Sequence, residues 1–145
     1  MSMPKARDVM RRRVVALAPD MTLAAAARLF VEKAVTGAPV VEDGRVIGVL
    51  SQRDFVRRAD EQSSGRVPAF YRDGEHLAIA APTEHTHEAR VREVMTRTVL
   101  SVAPGDSLSK VARIMSSKRV HRVIVLDEGK LVGVVSSLDL VKRLA

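Results

Sequence analysis

One segment of about fifty residues occurs twice in this chain, and that duplication constrains the fold more than any other feature. Sliding Asp8–Asp60 onto Glu93–Ala145 needs no gap, and roughly a third of the aligned positions are identical. Val9-Met10 meets Val94-Met95, Ala18-Pro19 meets Ala103-Pro104, and Leu23 meets Leu108. Gly44, Gly48, Ser51 and Asp54 meet Gly129, Gly133, Ser136 and Asp139. Each copy is too short to bury an apolar face comfortably by itself. Two copies packed together predict one core around a pseudo-twofold axis, with grooves between the halves.

Within the first copy, Val14-Val15-Ala16-Leu17 reads as a short strand, and Pro19 to Thr22 supplies turn and capping chemistry. Leu23, Ala26, Ala27, Phe30 and Ala34 recur at steps of three and four, which predicts a helix with one buried face. Ala38-Pro39-Val40-Val41 is then a strand, Glu42-Asp43-Gly44 a turn, and Val46 to Leu50 the returning partner. Pro39 has no N–H, so the ladder is broken or sits at an edge there. A closing helix is predicted from Gln52 to about Ala59. The second copy repeats the order: Val99 to Val102, a helix from Ser107 to about Lys118 with Leu108, Val111, Ala112 and Met115 inward, Arg122 to Leu126, a turn at Asp127-Glu128-Gly129, and a last strand and helix. The fold class is therefore α/β (α+β), as two pseudo-symmetric β-α-β-β-α repeats. The predicted organisation is repeat 1 over 8–60, a connector over 61–92, and repeat 2 over 93–145.

Each repeat ends on the same chemical device. A strand stops at a serine, and three residues later an aspartate stands in the first turn of a helix: Ser51 and Asp54, then Ser136 and Asp139. A hydroxyl and a carboxylate beside unpaired backbone N–H groups offer donors to phosphate and an acceptor to sugar hydroxyls. The same residues also read as N-caps and first-turn acids with no ligand at all.

Composition narrows the partners. The chain holds no cysteine, which removes disulfides and thiolate metal sites. The start Met1-Ser2-Met3-Pro4 lacks an apolar signal-peptide core and no later run approaches a membrane span, so a cytoplasmic location without membrane contact is expected. The net charge of +7 favours anionic partners: nucleotides, nucleic acids or acidic surfaces.

At these motifs the sequence resembles the CBS-domain family, whose domains usually occur as tandem pairs (Bateman modules). The resemblance is carried by the Asp-Val-Met and Glu-Val-Met lead-ins, the Pro19 and Pro104 turns, the Ala-Pro-Val-Val strand and the two Gly-Val-(Leu/Val)-Ser-x-x-Asp endings. It implies clefts for adenosine-containing regulatory ligands such as AMP, ADP, ATP or S-adenosylmethionine, no required cofactor, no catalysis, and a disc-like homodimer. Position by position it implies that Asp54 and Asp139 bind ribose and that Ser51 and Ser136 meet phosphate or ribose. It further implies that the backbone at Ala38-Pro39, with Val123 in the equivalent place, contacts adenine. Ser101 matches the family's first-strand hydroxyl, and His121-Arg122 resembles a phosphate-binding pair. The halves differ, since Ala16 stands opposite Ser101, Ile124 opposite Pro39 and Thr36-Gly37 opposite His121-Arg122. Two unequal sites are expected.

The competing readings are specific. Arg11-Arg12-Arg13 and the net charge point to a nucleic-acid binder, although the aromatic residues are few and no nucleic-acid motif is visible. A dimerisation module with empty clefts is the other. Lys118, Arg119, His121 and Arg122 also read as a solvated charged edge. His85 and His87 in the connector are too sparse for a metal site, and none is assigned. Phe70 and Tyr71 predict docking of the connector, and Glu75 to Ala81 a short helix ending at Pro82. No nucleophile and base, phosphate loop or metal spacing supports an enzyme.

Overall fold

The computed structural model describes residues 3–62 and 89–145, so the expectations for Phe70, Tyr71, His85, His87 and the helix at Glu75–Ala81 lie outside the described residues. The elements run α1 (Ala6–Val9), α2 (Leu23–Lys33), β1 (Gly37–Glu42), β2 (Arg45–Ser51), α3 (Gln52–Gln62), α4 (Val91–Val94), β3 (Ser101–Val102), α5 (Leu108–Lys118), β4 (Arg122–Asp127), β5 (Lys130–Ser136) and α6 (Ser137–Leu144). The α+β class and the doubled order are as the sequence predicts. None of the helices among the described residues is long and apolar enough to cross a membrane.

Turn chemistry fixes both hairpins. Asp43 and Gly44 have φ of 53° and 80°, and Glu128 and Gly129 have φ of 52° and 83°. Two successive left-handed residues make the two-residue turn whose twist matches the flanking strands, and glycine takes the second place without strain. β1 then pairs antiparallel with β2, and β4 with β5, each with one irregularity at the equivalent place, Val40/Val41 and Val125/Leu126. The hairpins pair at Arg45 and Lys130, where the Val46 N–H also donates to the Gly129 carbonyl at 3.3 Å and Arg45 Nη1 to the Glu128 carbonyl at 3.1 Å, giving a sheet of order β1-β2-β5-β4-β3. Thr22 and Ser107 cap α2 and α5 by accepting from the N–H of Ala25 (3.1 Å) and Lys110 (3.2 Å).

The first strand of each repeat is shorter than expected, and Pro39 explains why the two differ. In the second repeat the Ile124 N–H donates to the Leu100 carbonyl at 3.3 Å, and Ser101–Val102 pairs in parallel with Ile124–Val125. In the first repeat Pro39 has no N–H to give to Val15, the residue equivalent to Leu100. The predicted strand Val14–Leu17 shrinks to a single bridge, with Leu17 donating to Pro39 (2.9 Å) and accepting from Val41 (2.8 Å).

The expected single core is instead two clusters, and each is completed by the other repeat's lead-in. Leu17, Leu23, Ala26, Phe30, Val40 and Leu50 pack with Val91, Val94 and Met95; Val111, Met115, Val123, Val125 and Val135 pack with Ala6, Val9 and Met10. The exchange is reciprocal in the backbone. Ala6 and Arg7 donate to Asp106 and Pro104, while Val91 and Arg92 donate to Met21 and Pro19. Arg11 exchanges two hydrogen bonds with Val134, and Thr96 two with Val49. Gly48 and Gly133 permit this approach: a Cβ on Gly48 would lie 2.7 Å from Met95 Sδ, and one on Gly133 2.8 Å from Met10 Sδ. Of the predicted inward positions on α5, Ala112 is exposed, and Val111 and Met115 carry the buried face.

Candidate ligand site

Both strand ends deliver their serine to a helix start, and both aspartates turn back onto it. At the second repeat Ser136 is the N-cap of α6; its N–H donates to Asp139 Oδ2 at 2.8 Å, and its Oγ accepts from the Asp139 N–H at 3.2 Å. This reciprocal pair is a capping box. At the first repeat the Ser51 N–H donates to Asp54 Oδ2 at 2.8 Å and the Ser51 hydroxyl donates to the same oxygen at 3.2 Å. Both carboxylates are buried, Asp54 at 2% and Asp139 at 8% exposure.

Each aspartate also reaches the exchanged lead-in. Asp54 Oδ1 accepts from Thr96 Oγ1 at 3.0 Å and lies 2.9 Å from Arg57 Nη2. Arg57 Nη2 donates at the same time to the Val94 carbonyl at 3.0 Å. Asp139 Oδ1 lies 3.3 Å from Arg11 Nε. Burial opposes the charge on Asp139, yet the Ser136 backbone and hydroxyl together with the Arg11 guanidinium outweigh it and hold the carboxyl below its ordinary range. A cavity of about 240 Å³ borders this carboxylate, lined by Val9, Asp139, Lys142 and Arg143.

The register places the remaining sequence-predicted residues. Arg122 faces Ser136 directly, and the Ser137 N–H donates to the His121 carbonyl at 2.8 Å, so His121, Arg122, Ser136 and Asp139 gather at one helix start. His121 and Arg122 are exposed and do not line the 240 Å³ cavity. Gly37 and Thr36 hold the matching places beside Ser51 and Gln52, without a cation. Ala38 and Val123 turn their side chains into the two cores, and the Pro39 carbonyl is engaged by Leu17. Ser101 is exposed on β3, opposite Ile124. No group of three potential metal ligands occurs among the described residues.

Sequence reasoning did not single out Arg57, Thr96 or Arg11 as partners of the aspartates. Arg57 stands three residues after Asp54, a spacing that brings side chains together on a helix. Arg11 and Thr96 occupy equivalent places, each directly after the repeated Val-Met. Arg11 is thus engaged with Asp139 rather than being one of three like cations in a run. A second cavity, of about 710 Å³, lies between α2 and α3 and is lined mainly by apolar residues, among them Phe30, Val31, Phe55 and Val56. Phe30 and Phe55, both in its lining, meet edge to face at 5.4 Å.

Two exchanged α+β halves with Ser-x-x-Asp helix starts define a tandem pair of small, similar domains. The sequence matches the CBS domain over residues 6–61 and again over 91–145, and the chain belongs to that family. It is 30% identical over 138 residues to the CBS domain-containing protein YhcV of Bacillus subtilis, covering 95% of this chain and 84% of that protein. It is 32% identical over 133 residues to 5'-AMP-activated protein kinase subunit gamma-3 of Homo sapiens, covering 90% of this chain and 24% of that one. The solved structure of CBSX2 in complex with AMP superposes with a TM-score of 0.75 at 26% identity, covering 97% of this chain and 95% of that one. Two archaeal relatives, at 27% and 30% identity, are longer, and the chain spans 38% and 46% of their lengths.

Proposed function

We propose that the chain is a non-catalytic regulatory module whose clefts bind an adenosine-containing ligand, AMP, ADP, ATP or S-adenosylmethionine, and that occupancy is read through dimer geometry or a partner contact. The observation that carries this reading is the charged Asp139 carboxylate, held in a capping box and bordering a cavity, with His121 and Arg122 at the same helix start. A carboxylate accepts charge-assisted hydrogen bonds from vicinal ribose hydroxyls, and the neighbouring cations and helix N–H groups suit phosphate. The AMP seen in CBSX2, a relative of matching length, supports the same ligand class.

The dimer is part of the proposal. Val31 (81% exposed), Val56 (67%), Val141 (58%) and Leu144 (90%) leave apolar surface on the helices of both repeats, which a second copy of the chain would cover. A thermal-shift screen over AMP, ADP, ATP, S-adenosylmethionine and NAD tests the ligand class, because a ligand that binds only the folded chain raises its melting temperature by mass action. An adenosine compound is expected to raise it in a concentration-dependent way. A flat response to all of them at millimolar concentration refutes the reading.

A further inference from the structure

The two aspartates differ in what is left for a ligand. An ionised carboxylate has about four acceptor positions, two on each oxygen. Asp54 has all of them taken: Ser51 N–H and Ser51 Oγ on Oδ2, Thr96 Oγ1 and Arg57 Nη2 on Oδ1. Asp139 has three taken, the Ser136 N–H and hydroxyl on one side and Arg11 Nε on Oδ1, so the position that Arg57 fills on Asp54 has no counterpart at Asp139. One acceptor position on Oδ1 remains, which a ribose hydroxyl can take. Asp139 also borders a cavity, whereas Asp54 is 2% exposed.

Arg57 makes this difference. The position equivalent to it in the second repeat is Lys142, which forms no ion pair among the described residues and lines the cavity beside Asp139. Arg57 is held on both sides, by Asp54 at 2.9 Å and by the Val94 carbonyl of the exchanged lead-in at 3.0 Å. A ribose hydroxyl entering the first cleft must displace a partner that Asp54 already holds, and Arg57 is tied to both Asp54 and the Val94 carbonyl. Lysine, a point charge without the planar fork, does not bind in this way.

We infer that Arg57 is the residue that closes the first cleft to ribose, so that the module takes one adenosine ligand per chain, at Asp139. This rests on the adenosine reading above. Two measurements separate the two claims. Carbodiimide and glycinamide labelling of carboxylates, read by mass spectrometry without ligand, is expected to modify Asp139 several-fold faster than Asp54, and Arg57→Lys is expected to bring Asp54 up to the Asp139 rate. Calorimetry with AMP is expected to give one site per chain in the wild type and a second in Arg57→Lys, and Asp54→Asn added to that variant is expected to remove the second site again. Labelling of Asp54 as fast as Asp139 in the wild type, or two equal AMP sites per wild-type chain, overturns the inference. Labelling as expected with no AMP binding upholds the closure by Arg57 and removes the adenosine reading. Should Arg57→Lys fail to fold, the wild-type labelling ratio and AMP stoichiometry decide the matter alone.

Discussion

Gly133→Ala probes the exchange of lead-ins on which both cores depend. The added Cβ would stand 2.8 Å from Met10 Sδ, 3.0 Å from Met10 Cγ and 2.9 Å from the Arg11 carbonyl oxygen. Ordinary contacts of this kind lie at about 3.5–4.0 Å, so the lead-in must retreat by roughly half an ångström or more. The Met10 side chain can swing aside. The Arg11 carbonyl is fixed by the Val134 N–H at 3.0 Å, and its retreat also lengthens the 3.3 Å pair between Arg11 and Asp139. Overpacking of this sort costs about 1–3 kcal/mol. For a chain of this size each kcal/mol lowers the melting temperature by about 2–4 °C. Gly105→Ala is the control, since its Cβ would meet only Arg7 Nη2 at 3.5 Å, and its effect should stay within about 0.5 kcal/mol. Calorimetric or urea unfolding of both variants gives the comparison. Equal midpoints for Gly133→Ala, Gly105→Ala and the wild type would refute the claim that the lead-in is tightly seated on the other repeat.

Other predictions follow from charge and surface. Because the Asp139 carboxyl is depressed in the folded state, its contribution to stability is complete above the ordinary carboxylate range and is lost as pH falls through the lower folded value. Stability should therefore drop as pH is lowered below about 5, and Asp139→Asn should flatten part of that slope in acid-unfolding curves. Light scattering at micromolar concentration should return twice the 15.8 kDa chain mass, and a monomer mass throughout removes the dimer. If the basic surface serves nucleotide phosphates, duplex DNA binding should be weak and vanish with modest salt in a fluorescence-anisotropy titration, as counterion release dictates. Sequence-selective binding at physiological salt would instead promote the nucleic-acid reading.

The parts of the fold written in local chemistry were legible in the sequence. Gly44 and Gly129 announced two hairpins, Thr22 and Ser107 two capped helices, and the serine-to-aspartate spacing two helix starts, because each signal acts within four residues. The exchange was not legible, since nothing in Val9-Met10 or Val94-Met95 says which half they will pack on. Thr96 reaches Asp54 across 42 positions and Arg11 reaches Asp139 across 128. Pro39 predicts a broken ladder or an edge. Its consequence, the loss of the Val14–Leu17 strand, needed the neighbouring segment in place. At the site, the gathering of His121, Arg122, Ser136 and Asp139 followed from hairpin register. The unequal filling of the two carboxylates did not, because it turns on arginine standing where the other repeat has lysine.

The central claim is that a buried, charged aspartate at a capped helix start recognises the ribose of an adenosine ligand. Calorimetric titration of AMP into the wild type and into Asp139→Asn, with 2′-deoxy-AMP as the matching deletion on the ligand, tests it most directly. A charge-assisted hydrogen bond contributes about 1.5–3 kcal/mol, so Asp139→Asn should weaken AMP by roughly ten- to a hundredfold. Removing the ribose hydroxyl should weaken binding to the wild type but add little to the loss already present in the variant. If folded Asp139→Asn binds AMP as the wild type does, or discriminates equally against 2′-deoxy-AMP, the carboxylate belongs to the helix cap alone and the account of the site fails.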